Sequence, residues 1–322
     1  MTHFLTRALQ HQRGQRQTAC PDATGRRQFM LSTAAAAGAT LSLTATASAT
    51  PTTPTFPVGR IRSEFLHYPN PEEHQRQSYR ILRNLHDKAD VLFWYHFQMF
   101  AVIDGRRPEA VVRWEGIEFS HHQKLSRSVY RVAGHNLSFP RDLSSGKWTD
   151  KTLNPITGEA IAVPPMALTE DPGYVYTPKG VIPLDNPDAP PRIRHEQFLI
   201  EGDLVKIEQV RQPPASWPAT FIETSANWSP LSLFEDNTIL DLPTGTSGGY
   251  IFPWPAWMKM GDQPGHMFAT WNGRKLPSVD NLPLEFIQRA QSSHPELLEV
   301  DKTAFNEALP ESIAMRLKSG EW

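Results

Sequence analysis

Apolar residues fall on alternate positions through much of this chain, as in "VLFWYHFQMFAVI" at 91–103. The odd positions, Val91, Phe93, Tyr95, Phe97, Met99, Ala101 and Ile103, make a continuous apolar face, the period-two signature of a strand. The even positions mix Trp94, His96 and Gln98 with Leu92, Phe100 and Val102. Aromatic residues on both sides, with an imidazole and an amide between them, suit the wall of a partly polar cavity. They also suit a buried strand whose His and Gln satisfy their neighbours.

The same period continues beyond this run. A second strand through "VVRWEGIEFSHHQ" is joined to the first by "DGRRPEA", a hairpin signal. "SVYRVAGHNLSF" (128–139) is a further strand, and 192–212 reads as two strands turning at Glu201-Gly202-Asp203. "ATFIETSANWSPL" and "SGGYIFPWPAWM" supply two more. Hairpin links dominate, so the expected fold is mainly β: a strongly curved antiparallel sheet or barrel of seven or eight strands, a lipocalin-like cup.

Helical spacing appears only at the ends. Tyr79, Leu82 and Leu85 recur behind the acidic turn of "PEEHQRQSYRILRNLHDKAD", which predicts a short helix within 71–90. From Leu282 the spacing returns in two short C-terminal helices, placed to cover an edge or open side of the sheet. The stretch 140–191 carries "NPITGE" and "DNPDAPP" with no sustained apolar period, and is expected to be a long loop excursion within one domain.

The N-terminus changes which residues count. In "TGRRQFMLSTAAAAGATLSLTATASA" the pair Arg26-Arg27 precedes a short Ala- and Thr-rich apolar run and an Ala47-Ser48-Ala49 site. This order is that of a secretory signal over 1–49, and the arginine pair resembles a twin-arginine signal, which exports folded proteins to the periplasm or beyond. The apolar run is shorter than the ~20 residues a spanning helix needs, so no stable membrane span is expected after cleavage. A Pro/Thr-rich tether at 50–70 and a single domain at 71–322 complete the organisation.

Composition follows from that cut. The only cysteine, Cys20, is removed with the signal, which excludes disulfides, cysteine metal sites and a cysteine nucleophile from the mature protein. Subtracting five arginines and one aspartate from 32 basic and 34 acidic residues leaves 27 and 33, a formal charge of −6. Nucleic acid is therefore not an expected partner; the twin-arginine export machinery is one for the precursor.

Candidate chemistry is sparse. His121 and His122 are adjacent on a strand and point to opposite faces, so they do not readily share an ion. His96, His135 and His195 lie on different strands and are the remaining candidates for a metal assembled in space. No nucleophile elbow, phosphate loop or dinucleotide fingerprint is present, and Glu115 and Glu118 fall on opposite strand faces. "WPAWMKMGDQPGHM" (254–267) has Gly261-Asp262-Gln263-Pro264-Gly265 as a turn, flanked by Trp254, Trp257, Met258 and Met260. Such a collar fits a structural turn or the rim of a ligand pocket.

Three segments together resemble a known family. "KWTDKTLNPITGEAIAVPP", "WPAWMKMGDQPGHM" and "VDNLPLEFIQRAQSSHPEL", with the twin-arginine signal, look like the bacterial family catalogued as domain of unknown function eighteen thirty-eight. The resemblance runs from about Tyr79 to Glu299, and W-M-x-M-G-D-x-P-G is its most specific element. It implies compartment and architecture and brings no activity or cofactor.

Two functions are expected to compete. One is carriage of a small, mostly apolar molecule in the cup, with Trp94, His96, Trp114, Trp257, Met258 and Asp262 as candidate ligand-binding residues. The other is a periplasmic enzyme with a site built on His96, His135 or His195, with or without a metal.

Overall fold

Helix α1 (Pro71–Leu82) shows how local chemistry begins each element. Asn70 caps it by accepting the Glu72 N–H at 2.9 Å, Pro71 occupies the first turn, and Glu72 and Glu73 complement the helix dipole. The computed structural model describes residues 61–211 and 221–322. The signal-like segment at 1–49 and the first part of the tether lie outside the described residues.

Thirteen strands follow in the described chain, eleven of them in one antiparallel sheet. The sheet is strongly curved but does not close into a barrel. Its order is β1 (Ser63–Leu66), β9 (His195–Glu201), β10 (Leu204–Arg211), β11 (Ile222–Pro230), β12 (Gly245–Phe252), β13 (Gly265–Leu276), β2 (Lys88–Ile103), β3 (Glu109–Ser126), β4 (Val129–Arg141), β7 (Met166–Thr177) and β8 (Gly180–Pro183). β5 (Lys151–Leu153) and β6 (Ala160–Ala162) form a separate small ribbon. Helices α2 (Leu231–Glu235), α3 (Leu284–Ser293) and α4 (Glu311–Ser319) complete the described chain with four 3-10 turns.

The structure departs from the sequence pattern in several places, first in strand number: eleven strands share the main sheet where seven or eight are expected. The tether was expected to reach residue 70, yet β1 pairs with β9 from Ser63↔Glu201 to Leu66↔Phe198. The 140–191 excursion contains β7 and β8, both in the main sheet. Asp171-Pro172-Gly173 sits where the β4–β7 register shifts between Val132 and Gly134. Gly173 has φ +90, and a Cβ there would stand 2.2 Å from the Val132 carbonyl oxygen, so glycine is required by both conformation and space. Finally, β13 is additional to the strands read from the sequence. Gly273 lies mid-strand, where a Cβ would approach Trp94 O to 2.5 Å and Tyr95 Cβ to 2.8 Å.

Register assigns the faces. Phe93, Tyr95 and Phe97 of β2 stand opposite Glu118, Gly116 and Trp114 of β3, and opposite Lys275, Gly273 and Trp271 of β13. The odd face of β2 is thus the concave one. Its lower end is filled by a core of Phe97, Met99, Trp114, Tyr250, Phe252 and Met267, plugged by Met258 and Met260. α1 lies across the upper end, with Tyr79 stacked on Tyr130 at 3.9 Å. The convex face carries its own cover: Leu92, Ile117, Phe119, Leu137 and Phe139 pack against Leu282, Phe286 and Ala290 of the C-terminal region. β2 is aromatic on both faces because both faces are covered.

Candidate functional site: a polar chamber on the concave face

Between the lower core and α1 the concave face changes chemistry. On β10 the inward positions run Val205, Ile207, Gln209, Arg211; on β11 they run Ser229, Asn227, Ser225, Glu223. Register sets these in rungs: Gln209 is opposite Ser225 and Glu196, and Arg211 opposite Glu223. Asn227 is opposite Thr246. Across the sheet, Phe93, Tyr95 and Glu118 form the facing wall, Trp271 closes a side, and Tyr79 and Arg83 come down from α1 and its C-cap. The space among these side chains is about 690 Å³ counted out to its open mouth, and about 70 Å³ where a whole water molecule fits.

The charged groups are anchored. Arg83 donates to Glu118 Oε1 at 3.0 Å, and Lys275 donates to the Arg83 carbonyl at 2.6 Å and to Asp241 at 2.9 Å. Burial pushes the Lys275 ammonium down to about 8, against the pull of Asp241. Glu196, its side chain only 1% exposed, meets Arg194 at 3.2 Å and His74 at 3.1 Å and accepts from Gln209 at 2.7 Å. Burial alone would raise its pKa; Arg194 first, then His74 and Ser78, outweigh that and bring it to about 2. Gln209 in turn accepts from Ser225 at 3.2 Å.

Behind Tyr79 runs a hydrogen-bonded chain. Its hydroxyl is 2.6 Å from His122 Nδ1, and His122 Nε2 is 2.9 Å from Ser120 Oγ. Burial holds the Tyr79 phenol well above its usual range and the His122 imidazole well below its own, the latter helped by Arg83. Both are neutral near pH 7, so the imidazole carries one proton and the chain can run in either direction. Next to it, Tyr95 donates to Asn136 Oδ1 at 2.5 Å.

Asn227 is 5% exposed and Thr246 partly buried, and neither makes a side-chain hydrogen bond to the described residues. With no protein partner, these groups are left to bind whatever occupies the chamber, water or a ligand.

None of the candidate ligand residues read from the sequence lines this chamber. Trp114, Met258 and Trp257 do meet, in or against the lower core: Trp114 stacks on Phe97 at 5.8 Å, and Met258 is fully buried. Trp94 and His96 are on the convex face, where Trp94 meets Phe286 edge-on at 5.0 Å and His96 is exposed. Asp262 sits exposed at the tip of its turn, which is held by Trp254 Nε1 donating to Gln263 O at 2.8 Å. The histidines are separate: His135 donates from Nε2 to Leu297 O at 2.6 Å on the convex side, and His195 is exposed on β9. Among the described residues no group of three or more His, Cys, Asp or Glu is placed to hold a metal ion.

Glu118 was read correctly as facing away from Glu115, but the chamber it enters was missed. The available signal was β11, "IETSANWSP", whose odd positions Glu223, Ser225, Asn227 and Ser229 are all polar and are the ones turned inward. Compared with known proteins, the chain matches no family model and no curated protein.

Proposed function

We propose that this protein is an exported carrier that binds a small molecule in the chamber between α1 and the lower core. The lining favours a ligand richer in hydrogen-bonding groups than the mostly apolar one expected from the tryptophans and methionines. One observation carries the reading: Asn227 and Thr246 face each other beside open space with no protein partner.

The test is a thermal-shift screen of sugars, polyols, hydroxy acids and amino acids. A true ligand at a hundredfold excess over Kd stabilises the fold by roughly 2.7 kcal/mol. Asn227→Leu and Thr246→Val keep shape and remove the hydrogen-bonding groups, so each should weaken binding while leaving the unliganded fold intact. A ligand whose affinity survives both changes would place binding elsewhere.

Export by the twin-arginine route and membership of the resembling family belong to the same proposal, supported by Arg26-Arg27 before Phe29 and by the W-M-x-M-G-D-x-P-G segment. Replacing both arginines by lysine should strand precursor in the cytoplasm; unchanged export would refute the route.

An enzymatic reading has one observation in its favour, the Ser120–His122–Tyr79 chain that ends at the chamber wall. A neutral relay of this kind can present either a donor or an acceptor to a bound molecule. Turnover of a chamber ligand that stops in Tyr79→Phe, with binding retained, would establish it.

A further inference from the structure

The chamber's charges are balanced, and that narrows what it can take. Three guanidinium groups, Arg83, Arg194 and Arg211, line the chamber with two carboxylates, Glu118 and Glu223, and a third carboxylate, Glu196, stands behind the wall against Arg194. Two of the cations already hold a carboxylate, Arg83 with Glu118 and Arg194 with Glu196, and the third is opposite Glu223 in the β10–β11 register. A ligand with a net charge would enter with no counter-charge left over and would lose its hydration for nothing in return. A neutral ligand with many hydroxyls meets the opposite situation. Paired carboxylates and guanidiniums still offer lone pairs and N–H groups at their unused edges, and Asn227 and Thr246 offer both donor and acceptor.

Size and shape agree. At roughly 10–15 Å³ of water-sized room per molecule, the available space holds about five to seven waters, or about 150–210 Å³ of liquid. That is the volume of one six-membered ring with its substituents. The walls also include aromatic faces, Trp271, Phe93 and Tyr95, against which the C–H face of such a ring can lie while its hydroxyls point to the polar rungs.

From this geometry, and resting on the chamber being the binding site, we infer that its ligand is a neutral, polyhydroxylated ring compound of monosaccharide or cyclitol size.

The experiment is calorimetric titration of the folded protein with glucose, galactose, mannose and myo-inositol, beside glucuronate, glucosamine and serine as anionic, cationic and zwitterionic probes. At least one neutral ring should bind, with its charged counterpart weaker by about tenfold or more. Glu223→Gln removes one negative charge without changing shape, so it should shift preference toward glucuronate by about fivefold or more, and circular dichroism checks that it folds. Tighter binding of glucuronate, glucosamine or serine by the unaltered protein overturns this inference and leaves the chamber as the site. Binding of a neutral ring that is indifferent to both Asn227→Leu and Glu223→Gln overturns the chamber itself. Absence of heat with every neutral ring also overturns the inference, while the broader thermal-shift screen decides the chamber separately.

Discussion

Replacing Arg80 by methionine should loosen the roof of the chamber. Arg80 is fully buried on α1, and its guanidinium reaches four carbonyls and the side-chain amides of Gln77 and Asn237. It donates to Phe234 O at 2.9 Å, Asp236 O at 2.6 Å and Ile239 O at 2.9 Å, and more weakly to Leu233 O at 3.4 Å. It therefore closes the C-terminal end of α2 in place of a backbone cap, and joins α1 to the segment leading into β12. Methionine keeps most of the stem's packing but leaves the Phe234 and Ile239 carbonyls without this donor, while Asp236 O keeps only the Ile239 N–H at 3.2 Å. At about 1–2 kcal/mol for each stranded acceptor the loss is about 2–4 kcal/mol. Removing a buried cation returns part of its desolvation, so the net expectation is about 1–3 kcal/mol. Against a total stability of about 5–15 kcal/mol this is a large fraction. Urea unfolding followed by circular dichroism and tryptophan fluorescence would measure it. Because Tyr79 and Arg83 descend from the same helix, chamber binding should weaken as well. A change below about 0.5 kcal/mol would refute the role assigned to Arg80.

Other predictions follow from the same contacts. The Glu196 carboxylate, lowered from 4.5 to about 2 in the folded protein, adds stability that is complete above pH 4.5 and lost as pH falls towards 2; that is about 3 kcal/mol, and Glu196→Gln should flatten this part of a stability–pH curve. His122 should titrate well below an ordinary imidazole because burial disfavours its charged form, seen in ring nitrogen shifts by NMR, and a midpoint near 6.5 would contradict its burial. Met258→Ala should cost about 2–5 kcal/mol because its side chain is fully buried in the lower core, whereas Asp262→Ala at the exposed tip should stay within about 0.5 kcal/mol. Equal effects of the two would show that the turn does not plug the core.

Period-two alternation located the curved antiparallel sheet because each strand keeps one apolar face, as β2 does from Val91 to Ile103. It failed where a glycine interrupts a strand for reasons of space: Gly173 and Gly273 look like turns in isolation and are close approaches in the sheet. Strand β1 was hidden because four residues carry no period of their own and depend on β9. The chamber was harder to see. Gln209 and Arg211 follow Val205 and Ile207 on one parity, so the polar pair reads as a strand end reaching solvent. Only the pairing of β9 to β12, set by long-range register, turns those ends into facing rungs. Aromatic and methionine-rich stretches attracted the ligand reading instead, yet Trp94 packs under α3 and Met258 in the core.

The most direct measurement is a crystal structure of the protein isolated from its own host, with the small molecules it releases on denaturation identified by mass spectrometry. The account predicts ligand density within the chamber, hydrogen-bonded to Asn227 and Thr246 and lying against Trp271. Density at the Trp254–Met267 turn with the chamber holding solvent alone, or a chamber closed by side chains around no void, would contradict it.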